Sequence, residues 1–165
     1  RADFLTPPSK IELIYLKPIL EPTKEGRFMR SPRVLIVDDE SMLRTSLFRA
    51  LDKKGLSVIT ANRIEEAKTL CQGDQGLDLA LVDLNLPDGD GIDLMIYLKQ
   101  IYPECQVIIL TGHGTIESAI RATQKGAYHF VTKPFEMEEI ISLADKALTQ
   151  KKITERKSTT ENRAE

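Results

Sequence analysis

Between Arg33 and Leu148, short unbroken apolar runs alternate with segments whose apolar residues recur every three or four positions. Unbroken runs of this length fit parallel strands buried on both faces, and the second pattern fits helices laid against them. The first run, Arg33 to Val37, predicts strand one. A helix follows with Ser41 as candidate cap, Leu43, Leu47, Ala50 and Leu51 on one face, and Gly55 at its end. Strand two is expected over Ser57 to Thr60. Asn62 is the candidate cap of the next helix, whose stripe is Ile64, Ala67 and Leu70, and Gly73 and Gly76 break it. Strand three ends at Asp83, and Leu84 to Gly91 reads as a loop. A helix from about Ile92 to Ile101 precedes Pro103. Strand four ends at Thr111. After the Gly112-His113-Gly114 turn, Thr115 caps a helix carrying Ile116, Ala119, Ile120 and Thr123. Strand five ends before Lys133-Pro134, and the last helix places Met137, Ile140, Ile141, Ala144, Ala147 and Leu148 on one stripe.

Five strand–helix units with short connections predict an α/β fold. The expected form is a flavodoxin-like, doubly wound (βα)5 with a parallel sheet of strand order 2-1-3-4-5. Ligands of such sheets bind outside the carboxyl ends of the strands. Those ends carry Asp38-Asp39-Glu40, Asp83, Thr111 and Lys133. The three carboxylates of Asp38, Asp39 and Asp83, a hydroxyl and an amine are therefore expected at one edge of the sheet.

The flanks read differently. Pro7, Pro8, Pro18 and Pro22 interrupt any long element in residues 1–31. Met29 stands just ahead of the first strand, and Lys24-Glu25-Gly26 can be encoded by a purine-rich stretch resembling a ribosome-binding site. The expectation is that residues 1–31 form an N-terminal extension, with 1–28 upstream or cloning-derived. Residues 32–150 would be the globular domain and 151–165 a polar tail, a frayed helix end followed by disorder.

Composition narrows the function classes. The 165 residues are 41% hydrophobic, enough for a real core, and 23 basic residues nearly balance 25 acidic ones. A net charge of −2 gives no field that attracts nucleic acid or an anionic membrane. No apolar run approaches the roughly 18 residues of a membrane span. With no evident secretory signal, a cytoplasmic protein is expected. Cys71 and Cys105 lack metal-site spacing and read as plain buried or half-buried thiols. His113 and His129 read as exposed or structural rather than as ligands.

Like charges constrain the acidic edge. Two carboxylates about 4 Å apart repel by about 4 kcal/mol at an effective dielectric near 20, so three of them need a cation or shifted pKa values. Oxygen-only ligands at an exposed edge suit Mg²⁺, with a backbone carbonyl from the loop after Asp83 as a further ligand. The bland alternative for Asp38-Asp39 alone is a solvated acidic loop. Lys133 supplies a point charge suited to a carboxylate or a phosphoryl oxygen.

These residues, in this order, closely resemble the receiver domain of bacterial two-component response regulators. The matching stretches are VLIVDDE at 34–40, LALVDLNLPDGDG at 79–91, VIILTGHGT at 107–115 and GAYHFVTKPF at 126–135. The Gly112–Thr115 turn and Gly126-Ala127-Tyr128 resemble receivers of enhancer-binding, nitrogen-regulation-type activators. The resemblance implies that Asp83 is the phosphoacceptor, working with Lys133 and Thr111. It implies Mg²⁺ bound by Asp39 and Asp83, with Asp38 supporting through water and the main-chain carbonyl of Asn85 completing the site. Thr111 and Phe130 match the switch pair, which reshapes the surface of helix four, strand five and helix five. Phe130 departs from the tyrosine often found there and offers no hydroxyl to a partner. The implied partners are a sensor histidine kinase and a second copy in a phosphorylation-linked homodimer. Neither nucleic acid nor membrane is expected to bind this segment. The implied role is a signalling phosphoacceptor, with only Mg²⁺-dependent self-phosphorylation and autodephosphorylation as chemistry.

Rival readings fit less well. Haloacid-dehalogenase-type phosphatases also phosphorylate a strand-end Asp but need a second acid two residues on, where this chain has Asn85. A flavodoxin-like redox role needs a phosphate loop after strand one, and Asp38-Asp39-Glu40 would repel the FMN phosphate. A DNA-binding role lacks a basic patch and a recognition module.

Overall fold

All five apolar runs form strands in the computed structural model, which describes residues 30–73 and 75–161. They are β1 (Arg33–Val37), β2 (Ser57–Ala61), β3 (Leu79–Asp83), β4 (Gln106–Thr111) and β5 (His129–Thr132). The helices between and after them are α1 (Ser41–Asp52), α2 (Ile64–Leu70), α3 (Gly91–Ile101), α4 (Ile116–Gln124) and α5 (Met137–Glu161). The strands pair in parallel in the order β2-β1-β3-β4-β5. That is the doubly wound order expected from the pattern, with the reversal between β1 and β3.

Strand side chains alternate between faces, so each run feeds two cores. Leu35, Val37, Ala80, Val82, Val107 and Ile109 meet α2, α3 and α4 through residues such as Ala67, Met95, Leu98 and Ala122. Val34, Ile36, Leu79, Leu81, Ile108 and Leu110 meet α1 and α5 through Leu47, Leu51, Ile140, Ala144 and Ala147. Burial on both faces is why the apolar runs of the central strands β1, β3 and β4 are unbroken.

Three local expectations are corrected. Ser41 does not cap α1; it is the first helical residue, and the cap position falls on Glu40 without a side-chain hydrogen bond. Asn62 does not cap α2. Asp88, from the loop after β3, accepts the N–H of Ile64 at 2.8 Å and of Glu65 at 3.0 Å. The cap thus comes from 24 residues away. Nor does the last helix fray at Gln150, since α5 continues to Glu161. Lys151, which the sequence placed in a polar tail, is buried; its ammonium pairs with Asp78 and donates to the Leu77 carbonyl at 3.3 Å. Thr115 caps α4 as expected, in a reciprocal box with Ser118.

The compact unit Pro32–Glu165 holds every element described. The expected extension over residues 1–31 lies, apart from Arg30 and Ser31, outside the described residues. No helix among the described residues is long and apolar enough to cross a membrane.

Candidate functional site

Register brings the strand ends to one edge. Val37 pairs with Val82, Asp83 with Leu110, and Thr111 with Thr132, so β1, β3, β4 and β5 finish within a residue or two of one another. The chain leaves the sheet there through Asp38 and Asp39, Leu84 and Asn85, Gly112, and Lys133. Two main-chain bonds hold the exits in place: Leu84 N–H to the Leu110 carbonyl at 2.9 Å and Lys133 N–H to the Thr111 carbonyl at 2.7 Å.

Asp38, Asp39 and Asp83 converge, each offering a carboxylate oxygen within 4.8 Å of the other two. Asp38 is fully buried, Asp83 nearly so, and Asp39 is exposed. Lys133 Nζ donates to Asp38 Oδ2 at 2.6 Å and to Asp83 Oδ2 at 3.2 Å. The other oxygens of these two carboxylates accept main-chain donors, Glu40 N–H onto Asp38 Oδ1 at 2.9 Å and Asn85 N–H onto Asp83 Oδ1 at 3.2 Å. Thr111 is buried, and its hydroxyl accepts the His113 N–H at 3.2 Å. Both histidines are exposed, as expected.

Burial is the main reason the Asp83 pKa is raised; the Asp38 charge adds to it, while Lys133 and the Asn85 N–H act the other way. Burial works against the Lys133 ammonium. The hydrogen bonds and charges of Asp38 and Asp83 outweigh it, and its pKa is raised. Lys133 is therefore a fixed cation between two carboxylates.

Thr111 and Phe130 meet around Gly114. A Cβ added at Gly114 would lie 2.9 Å from Phe130 Cε1 and 3.0 Å from Thr111 Cγ2. The phenyl ring and the threonine methyl thus share the space that this glycine leaves, and Phe130 is half-buried there.

The loop after β3 is more constrained than its Pro-Asp-Gly composition suggested. Asn85–Leu86 and Gly89–Asp90 pair as a two-rung antiparallel hairpin. Asp88 caps α2, and Asp90 caps α3 by accepting the Ile92 N–H at 2.7 Å. The second Asp90 oxygen forms an ion pair with Arg121 of α4. Gly91 admits no side chain, since a Cβ there would lie 2.1 Å from the Asp83 carbonyl oxygen. Asp88 and Arg121 escaped the sequence reading because their partners are 23 to 31 residues away, whereas Asp90 was missed although the N–H it caps is only two residues on. A turn composition shows a turn and not what the turn holds.

The sequence matches the response regulator receiver domain over residues 34–145. The chain belongs to this family. Receiver domains serve as phosphoacceptors in two-component signalling. The response regulator PilR of Pseudomonas aeruginosa is 37% identical over 120 residues, a match covering 73% of this chain and 27% of PilR. The transcriptional regulator NtrC of Proteus hauseri is 31% identical over 134 residues, covering 81% of this chain and 28% of that protein. The receiver domain thus spans about a quarter of the length of these relatives. The solution structure of the beryllofluoride-activated NtrC4 receiver domain dimer superposes with a TM-score of 0.68 at 34% identity, covering 72% of this chain and 98% of that one.

Proposed function

We propose that Asp83 is the residue this receiver domain phosphorylates, and that the acidic edge binds Mg²⁺ through Asp39 and Asp83, with Asp38 in support and the Asn85 carbonyl completing the site. The observation that carries the reading is the placement of the Asp83 carboxylate at a strand end, hydrogen-bonded to Lys133 and within 4.8 Å of two further carboxylates. Three carboxylates and one ammonium leave a formal charge of −2, which a divalent cation balances. With their oxygens within 4.8 Å of one another, Asp39 and Asp83 are close enough to hold one Mg²⁺ together. When bound, the ion neutralises charge on the oxygens of the transferring phosphoryl group.

The chain's own residues do the rest by position and charge. An Asp83 oxygen attacks phosphorus in line as the bond to the donor breaks, a P–N bond in a phosphohistidine or a P–O bond in an acyl phosphate. The donor leaves with the bonding electron pair, and Asp83 becomes an acyl phosphate. Lys133, held positive and bonded to Asp83, offsets charge on the phosphoryl oxygens. Thr111 then turns its hydroxyl towards the phosphoryl group, and the Phe130 ring moves into the space vacated. The surface of α4, β5 and α5 changes with it.

A sensor histidine kinase is the proposed donor and a second receiver the proposed partner, as in the dimer described for the NtrC4 receiver domain. We assign the domain to the cytoplasm and assign it no direct contact with DNA or membrane.

Incubation with acetyl phosphate and Mg²⁺, followed by intact-mass measurement, tests the acceptor. Wild type is expected to gain one phosphoryl group and Asp83→Asn none. An unchanged wild-type mass, or an equal gain in Asp83→Asn, refutes the assignment. Phe130→Ala is expected to keep the labelling and weaken the phosphorylation-linked dimer; loss of labelling would make Phe130 a purely structural residue.

A further inference from the structure

We infer that Arg44 is a positioning residue for the cation site. The inference rests on the proposed Mg²⁺ site and extends it to a residue outside the carboxylate–lysine cluster. Arg44 lies in the first turn of α1, half-buried. Its Nη1 donates to the main-chain carbonyl of Asp38 at 2.6 Å. Its own N–H donates to the Glu40 carbonyl at 3.0 Å. The Arg44 side chain therefore holds the start of the three-residue turn that carries Asp38 and Asp39, and the ordinary helix bond of its backbone holds the end.

A second observation makes this placement informative. The first turn of a helix favours acidic residues, because the unpaired N–H groups there are electropositive. α1 has no acidic residue in its first turn and carries Arg44 there instead, with no side-chain cap on Glu40. The residue is on the wrong end of the helix by local rules. Departures from local rules concentrate at functional sites, where another interaction offsets them. Here the offsetting group is the Asp38 carbonyl.

The bond to Asp38 has a definite consequence. The Asp38 carboxylate is fixed by Lys133 and the Glu40 N–H, and its N–H donates to the Ala61 carbonyl at 3.2 Å. Its carbonyl is the remaining handle on the backbone leading into Asp39. Asp39 is exposed, so the direction of its carboxylate depends on the backbone rather than on side-chain packing. With the Arg44 bond in place, Asp39 faces Asp83 before any ion arrives. Without it, ion binding must also order the turn.

Positioning and simple electrostatics predict opposite signs, which makes the test sharp. Removing a positive charge beside a cation site tightens cation binding by Coulomb's law alone. Loss of a positioning bond weakens it. Arg44→Met removes the charge and the donor and keeps the stem. Arg44→Lys keeps the charge and most of the reach. Calorimetric titration with Mg²⁺ alone is expected to show Arg44→Met binding about three- to tenfold more weakly than wild type, the range one hydrogen bond supports. Arg44→Lys is expected within about twofold of wild type by the same bond. The metal-free melting temperature of Arg44→Met should stay near that of wild type, while the rise on adding Mg²⁺ shrinks with the affinity. Binding by Arg44→Met as tight as wild type or tighter overturns the inference, as does Arg44→Lys no better than Arg44→Met. Failure of wild type to label on Asp83 counts against the proposed function, whatever Arg44 does. Labelled wild type with unchanged Mg²⁺ affinity in Arg44→Met counts against Arg44 alone.

Discussion

Replacing Lys151 with Met breaks an ion pair at the end of the sheet opposite the Asp38, Asp39 and Asp83 cluster. Lys151 lies on α5 and reaches Asp78, which directly precedes β3. The two side chains are only 9% and 12% exposed, so the pair belongs to the buried class rather than the surface class. Removing one member of a buried pair costs about 3–5 kcal/mol, because the other charge is left uncompensated. Asp78 Oδ2 keeps the Arg33 N–H at 2.7 Å, which points to the lower end, about 3 kcal/mol. For a domain of this size that is a fall in Tm of roughly 10 °C. Urea unfolding followed by far-ultraviolet circular dichroism measures it. Lys151→Met with Asp78→Asn removes the stranded charge and should recover at least about 1 kcal/mol of the loss. Truncation after Gln150 should destabilise like Lys151→Met, since both delete the same ammonium. A Lys151→Met protein within about 0.5 kcal/mol of wild type would refute the buried-pair reasoning.

Three more outcomes follow from the geometry. Partial desolvation works to raise the Asp88 pKa, but the N–H groups of Ile64 and Glu65 overcome it and leave it lowered from 3.8. The cap's contribution is thus fully present above the unfolded value and lost as pH falls through the lower folded value. Asp88→Ala should melt below wild type at pH 7, with the gap closing in acid and the Ile64 and Glu65 amides exchanging faster; equal exchange would reject the cap. Gly91→Ala drives a methyl into the Asp83 carbonyl oxygen. It should cost about 1–3 kcal/mol and reduce labelling of Asp83, and wild-type values for both in the unfolding and mass assays would show that the turn yields freely. Burial pushes the Cys105 thiol up to about 12. Iodoacetamide at pH 8 should therefore modify Cys105 only through unfolding, at a rate that rises with urea; rapid native modification would show an open path to the sulfur.

The strands and their order were legible because burial on both faces demands unbroken apolar runs, and Val34–Val37, Leu79–Val82 and Val107–Leu110 supply them. The start of α4 was legible because its cap is local, Thr115 with Ser118. That of α2 was misread because its cap is distant, its N–H groups being satisfied by Asp88. The end of α5 was misread for a related reason. Lys151, Lys152 and Glu155 look solvated in a row of polar residues, and only the folded chain brings Asp78 beside Lys151.

The sequence by itself determined which chemical groups stand at each strand end: carboxylates just past β1 and at the last residue of β3, a hydroxyl at the last residue of β4, an amine just past β5. Strand periodicity is local physics, and a strand's last residue follows from where its apolar run stops. Tertiary structure alone decided the distances. It brought Lys133 to 2.6 Å from Asp38 and 3.2 Å from Asp83, put Thr111 and Phe130 around Gly114, and tied Arg44 to the Asp38 carbonyl. Most of these contacts join segments far apart in the chain. Their geometry is set by sheet register and packing, which no local pattern of residues contains.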